Sequence, residues 1–175
     1  FLWIGTKEGG LNKLNLRTKT FTNYMHNPKT QDPSFDIGKG EVNAITEDAD
    51  GDLWIGLSKS GLKKFNRKSE KFTHYHHNPN DPSSLADNNI RAIIPSSDGG
   101  LWICHPYWVA VGMEWFNKDK GIFAQYKHDE NNPDSSISDR IQVAFEDASG
   151  ILWIGENLSR ISTYDKHYNK FNVYK

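Results

Sequence analysis

Leu2-Trp3-Ile4-Gly5, Leu53-Trp54-Ile55-Gly56, Leu101-Trp102-Ile103-Cys104 and Leu152-Trp153-Ile154-Gly155 state one phrase four times, with the tryptophans 51, 48 and 51 residues apart. A second mark, Phe-x-x-Tyr, trails each of them at Phe21 and Tyr24, Phe72 and Tyr75, Phe123 and Tyr126, and Phe171 and Tyr174. Seven residues before each of those phenylalanines stands Leu14, Phe65, Phe116 or Tyr164, and a spacing held that constant implies a fixed hairpin. Ahead of the second, third and fourth tryptophans run Val42-Asn43-Ala44-Ile45, Ile90-Arg91-Ala92-Ile93 and Ile141-Gln142-Val143-Ala144, each leading to a glycine just short of the tryptophan. One unit therefore holds four short segments, β-branched and aromatic, broken by Asp-Gly, Ser-Gly, Gly-Gly and Asn-Pro. That is the punctuation of strands and tight turns.

Side chains alternate across a strand, so in Leu-Trp-Ile the leucine and isoleucine face one neighbouring layer and the tryptophan the other. A four-stranded antiparallel unit that is apolar on both faces and recurs about every 50 residues matches a propeller blade wedged between two others. Leucine-rich and helical repeats have shorter periods or a 3.6-residue pattern, and neither is visible. The expected fold is all-β: a single partial β-propeller over residues 1–175, with blades near 1–26, 41–77, 89–128 and 140–175. The first blade starts at Phe1-Leu2-Trp3 and lacks its innermost strand, giving three complete blades and three-quarters of another. That is half of a seven-bladed ring, which takes on the order of 350 residues. Open edges and apolar faces invite association, so the remaining blades of a parent chain, or a second copy, are expected to complete the ring.

Composition narrows the function classes. The 36% hydrophobic and 25% charged content belongs to a globular protein, and a net charge of −1 leaves no electrostatic footprint for nucleic acid. No apolar run approaches the roughly 20 residues that cross a bilayer, and no charged-then-apolar leader opens the sequence; membrane attachment is expected only through segments beyond this one. The single cysteine, Cys104, excludes an internal disulfide and a cysteine-based zinc site.

The string Glu47-Asp48-Ala49-Asp50-Gly51-Asp52-Leu53-Trp54-Ile55-Gly56, followed by Gly61-Leu62 and Phe72-x-x-Tyr75, resembles the two-component regulator propeller repeat. The segments His26-Asn27-Pro28, 77–85 and 132–137 are similar to the connectors between that family's blades. The resemblance implies a ligand-sensing module in the periplasmic region of a membrane-bound hybrid histidine kinase. It implies two seven-bladed propellers followed by a β-sandwich, a membrane span and cytoplasmic kinase and regulator domains, and a response to oligosaccharides that controls transcription. Two departures stand out: Cys104 replaces the glycine after Trp-Ile in the third unit, where the loop is longer, and Arg160 replaces the loop glycine in the fourth.

Fifteen of the 22 aromatics fall on repeat positions and are explained by packing, so few rings remain for recognition. In propellers the turns between second and third strands gather with the connectors on one face, the usual ligand face. Here that face takes Lys59, the loop His105-Pro106-Tyr107-Trp108-Val109-Ala110-Val111, and Asn157 to Arg160. The candidate ligand-binding residues are therefore His105, Tyr107, Trp108, Lys59, Asn157 and Arg160. Tyr107 and Trp108 beside a proline offer rigid rings that stack on sugars; the opposing expectation is that Trp108 folds back over the neighbouring blade.

Other clusters read as structure. His74 and His76 share one strand face while His77 points away, and two ligands do not make a metal site. Asp48, Asp50 and Asp52 belong to a tight turn, where aspartate bonds its own backbone and glycine supplies positive φ. One such turn per blade keeps carboxylates too far apart for paired-carboxylate catalysis, and serine and histidine occur in no Gly-x-Ser-x-Gly context. No catalytic residue, metal or cofactor is expected in this segment. A non-catalytic interaction or dimerisation scaffold explains the repeat as well as a sensor does, and a propeller-based lyase or glycosidase would need charged and histidine residues converging on the ring centre.

Overall fold

The computed structural model describes residues 1–136, 138–156 and 161–174. Among the described residues fifteen strands form four antiparallel sheets in chain order. The first holds β1 (Leu2–Gly5), β2 (Leu11–Leu14) and β3 (Phe21–Tyr24). The second runs β4 (Val42–Glu47), β5 (Leu53–Leu57), β6 (Leu62–Asn66) and β7 (Lys71–Tyr75). The third runs β8 (Ala92–Pro95), β9 (Leu101–Cys104), β10 (Met113–Asn117) and β11 (Ile122–Tyr126). The fourth runs β12 (Ile141–Glu146), β13 (Leu152–Glu156), β14 (Ile161–Asp165) and β15 (Lys170–Tyr174). Every sheet is a meander, and β4, β8 and β12 lie side by side from sheet to sheet, as blades set around a common axis require.

Between sheets the alternation predicted for Leu-Trp-Ile is what packs. Leu53, Ile55, Phe65 and Phe72 meet Trp3 and Tyr24 of the preceding sheet. On the other face Trp54 and Tyr75 meet Leu101, Ile103, Phe116 and Phe123. The same exchange joins Trp102 and Tyr126 to Leu152, Ile154, Tyr164 and Phe171. Edge-on ring contacts recur at each junction, with Tyr24–Phe65, Tyr75–Phe116 and Tyr126–Tyr164 centroids at 4.8, 4.9 and 5.1 Å. The two end faces are open: Val143, Phe145, Trp153 and Tyr174 of the fourth sheet are exposed, as are Leu2 and Phe21 of the first.

In the second and fourth blades the turn before the tryptophan supplies an acceptor for its N–H. Asp48 takes the backbone N–H of Asp50 and Asp52 on one oxygen and Trp54 Nε1 on the other at 2.8 Å. Asp147 repeats this with Ser149, Ile151 and Trp153. In the third blade Ser96 stands where the aspartate should be, and Glu146 of the next blade reaches across to accept from Trp102 Nε1 at 3.1 Å. These aspartates are therefore turn acceptors, as the sequence predicts.

Connectors do more than link. Each passes over the next blade's outermost strand: Phe123 N–H donates to Ser83 O, Phe171 N–H to Asp134 O, and His74 Nε2 lies 2.9 Å from Pro33 O. An exposed outer strand would present a pairing edge, and the connector covers it. His77 and His128 pin their connectors by Nδ1 to the carbonyls of Leu85 and Ser136, at 2.7 and 2.6 Å.

Candidate functional site

The loops after β1, β5 and β9 and the three connectors share one end of the molecule. Glycine closes each loop. Gly10, Gly61 and Gly112 all hold φ between +64° and +79°, and a Cβ on any of them would collide with the carbonyl oxygen of Tyr24, Tyr75 or Tyr126. Directly after each comes an apolar residue and then a buried polar one: Asn12, Lys63, Glu114 and, in the fourth blade, Ser162. Asn12 Nδ2 donates to Gly9 O and Gly10 O at 3.3 Å. Lys63 Nζ donates to Ser60 O and contacts His76 Nε2; with 0% exposure, burial pushes its ammonium down to about 8, against the pull of Asp36.

The third blade makes this polar position part of a buried hydrogen-bonded pair. Glu114 Oε2 lies 2.7 Å from His105 Nε2, and Glu114 Oε1 accepts from Ala86 N–H at 2.9 Å. His105 Nδ1 donates to Asn89 O at 2.7 Å, a carbonyl being able only to accept. His105 is therefore buried with both ring nitrogens engaged, and it supports the loop instead of meeting a ligand. Sequence reasoning placed it in the loop and could not see Glu114 beneath it.

That support holds the rest of the loop outward. Trp108 is 65% exposed and Tyr107 41%, and the two rings meet edge to face at 5.1 Å. Trp108 does not fold over a neighbouring blade; its ring lines a cleft of about 470 Å³ at the axial side of the connector end. The same cleft is lined by Glu41, Asn43 and Ser58 of the second blade and by Asn89, Arg91 and Ala92. Ser58 Oγ accepts from Glu41 N–H at 2.9 Å and Ser58 N–H donates to Glu41 O at 3.0 Å, so loop and connector are locked together. Asn43 Nδ2 donates to Ile90 O at 2.9 Å and Arg91 Nε to Gln142 O at 3.1 Å, each bridging one blade to the next.

Of the expected ligand residues, Trp108 lines this cleft and Tyr107 adjoins it; Lys59 is exposed on the loop whose Ser58 lines it. Asn157 and Arg160 lie outside the described residues. Asn43 and Arg91 were missed, although they share one repeat position with Gln142: a polar residue interrupting otherwise apolar innermost segments. That interruption was the available signal.

A second cleft, about 260 Å³, opens at the opposite end between the second and third blades and gathers Asp48, Asp50, Asp98, Asp119, Lys64 and Lys118. Two of its four acids are committed: Asp48 to its turn and to Lys118 at 3.5 Å, Asp98 to Gly100 N–H and to Lys166 at 3.3 Å. Among the described residues no group of three His, Cys, Asp or Glu side chains is placed to hold a metal ion. Cys104 is buried, and burial pushes its thiol up to about 12, which leaves it almost wholly un-ionised and unreactive near neutrality.

Blades of this construction define a propeller with a polar, aromatic-edged cleft at its connector end. Residues 36–59 and 84–107 match the two-component regulator propeller family. Over its whole length it is similar to the extracellular domain of a hybrid two-component system from B. thetaiotaomicron, at 28% identity and a TM-score of 0.84, while spanning 23% of that domain. The fold is shared with virginiamycin B lyase of Staphylococcus aureus, at 15% identity, a TM-score of 0.64, and 94% and 48% of the two chains covered. It is also shared with an auxiliary nutrient binding protein of Bacteroides ovatus, at 11% identity, a TM-score of 0.61, and 97% and 36% covered. No curated protein matches the chain closely enough to count as a relative. Among the described residues no helix is long and apolar enough to cross a membrane.

Proposed function

We propose that this chain is the ligand-sensing propeller segment of a periplasmic hybrid two-component histidine kinase, that it is not itself catalytic, and that its connector-end cleft takes an oligosaccharide. The observation that carries the reading is Trp108: a large ring held in solvent by a buried His105–Glu114 pair, over a cleft lined by amide, hydroxyl and charged groups. Exposed aromatics beside convergent polar groups are how proteins take sugars, by stacking on C–H faces and bonding hydroxyls. Kinship with an extracellular two-component domain supports the sensor role. The test is a thermal-shift screen of the full-length extracellular region against neutral and acidic oligosaccharides. A midpoint rise with one class, lost in a Tyr107→Ala/Trp108→Ala variant, is the expected result, whereas cleavage of a glycan would reassign the segment as an enzyme.

The open end faces favour a second reading, of association. Val143, Phe145, Trp153 and Tyr174 occupy the positions that Ala92, Ile94, Trp102 and Tyr126 use one blade earlier to grip the next blade. We read them as the seat of a further blade, from the parent chain or a second copy.

A further inference from the structure

The connector-end cleft is lined by one acid, Glu41, and one base, Arg91. Glu41 has a counterpart in Lys7, 3.6 Å away. Arg91 has no ion-paired carboxylate among the described residues; its recorded side-chain bond runs from Nε to Gln142 O. That bond fixes the guanidinium plane and leaves both Nη groups, the pair that meets a carboxylate or sulfate side by side, without a protein acceptor among the described residues. Lys59, exposed on the adjoining loop, adds a second cation.

Bridging two blades does not explain the charge. At the same repeat position one blade earlier, Asn43 makes the equivalent bridge to Ile90 O with a neutral amide. Arg91 does the same work with a full positive charge that the fold leaves unused, in the cleft that Trp108 edges. We infer that the ligand carries an anionic substituent, a carboxylate or a sulfate ester on a sugar ring, which Arg91 engages through its two Nη groups while Trp108 stacks on the ring. The inference rests on the saccharide reading of the cleft and narrows it to acidic glycans.

Isothermal calorimetry on the full-length protein tests it with matched probes: tetragalacturonate against its methyl ester, and a κ-carrageenan tetrasaccharide against its desulfated form. The first pair isolates a carboxylate and the second a sulfate, so the arm that binds names the group. The acidic member of one pair should bind at least about tenfold more tightly than its neutral counterpart, as expected for a charge-assisted bond. That preference should fall with added salt and vanish in Arg91→Gln, which keeps an amide to bridge the blades and therefore the melting temperature. Equal binding of both members of the pair, or a preference that survives Arg91→Gln, would overturn the inference. If neutral oligosaccharides bind and acidic ones do not, the cleft remains a saccharide site and the anionic assignment falls. If neither class binds, the saccharide reading falls with it.

Discussion

Trp102 and Trp108 lie six residues apart and carry opposite expectations, which makes their alanine variants a direct test of which rings build the fold. Trp102 keeps 2% of its surface accessible, donates Nε1 to Glu146 and meets Tyr126 and Tyr164 edge-on at 5.4 Å; Trp108 keeps 65% and touches one ring. A tryptophan can bury about 250 Å². Nearly all of that is withdrawn from water at Trp102 and about 90 Å² at Trp108, so at ~25 cal/mol per Å² the transfer terms are about 6 and about 2 kcal/mol as upper bounds. Measured truncations of fully buried aromatics cost about 3–5 kcal/mol, and scaling Trp108 alike leaves about 1 kcal/mol. With about 2–4 °C of midpoint shift per kcal/mol in a chain this size, Trp102→Ala should lower the melting temperature by about 10 °C and Trp108→Ala by less than about 4 °C. Differential scanning fluorimetry reads both. A Trp108→Ala loss as large as that of Trp102→Ala would show the ring to be core and remove the basis for a recognition role.

Three further outcomes follow from the geometry. Gly61→Ala should destabilise much more than Gly121→Ala in urea denaturation: both hold φ near +70°, but a Cβ at Gly61 runs into Tyr75 O while that at Gly121 meets open space, leaving only the roughly 1–2 kcal/mol of left-handed strain. Glu114→Ala leaves His105 Nε2 and Ala86 N–H without their partner and should cost about 1–3 kcal/mol for each buried group left unsatisfied; Glu114→Gln, which keeps one acceptor oxygen and offers an amide NH2 in place of the other, should cost less. Bonds from Ser149 and Trp153 above all hold the Asp147 carboxyl down at about 2, below the unfolded value near 3.9. Its contribution to stability is therefore complete above pH 5 and is lost as pH falls from 4 towards 2. In Asp147→Asn the melting temperature should drop less steeply over that acid range than in the parent, and an unchanged slope would refute the assignment.

Much of the fold was legible because a propeller repeats its physics. Trp54, Leu53 and Ile55 sit on opposite faces of one strand, and a strict period of two is enough to assign each to its neighbour. The turn role of Asp48 was equally plain, since Asp-x-Asp-Gly before a strand has few other uses. The site was harder. His105 looks like a loop residue until Glu114, nine positions later on β10, is seen to lie beneath it, and contact across a hairpin depends on register that spacing alone does not disclose. Asn43 and Arg91 project from innermost segments of different blades, and only the rotation of one sheet against the next brings them to one cleft. Glu146 standing in for the missing aspartate of the third blade is a substitution across blades that no single repeat reveals.

Asn12, Lys63, Glu114 and Ser162 occupy one recurring place, yet they differ in charge, length and bonding capacity. Their recorded partners lie mostly in their own blade or the connector that leads into it. Exchanging such an anchor rewrites a single loop and leaves the shared framework of rings untouched. A chain built this way can diversify what it displays blade by blade while its scaffold stays constant, so specificity and stability are free to evolve on separate residues.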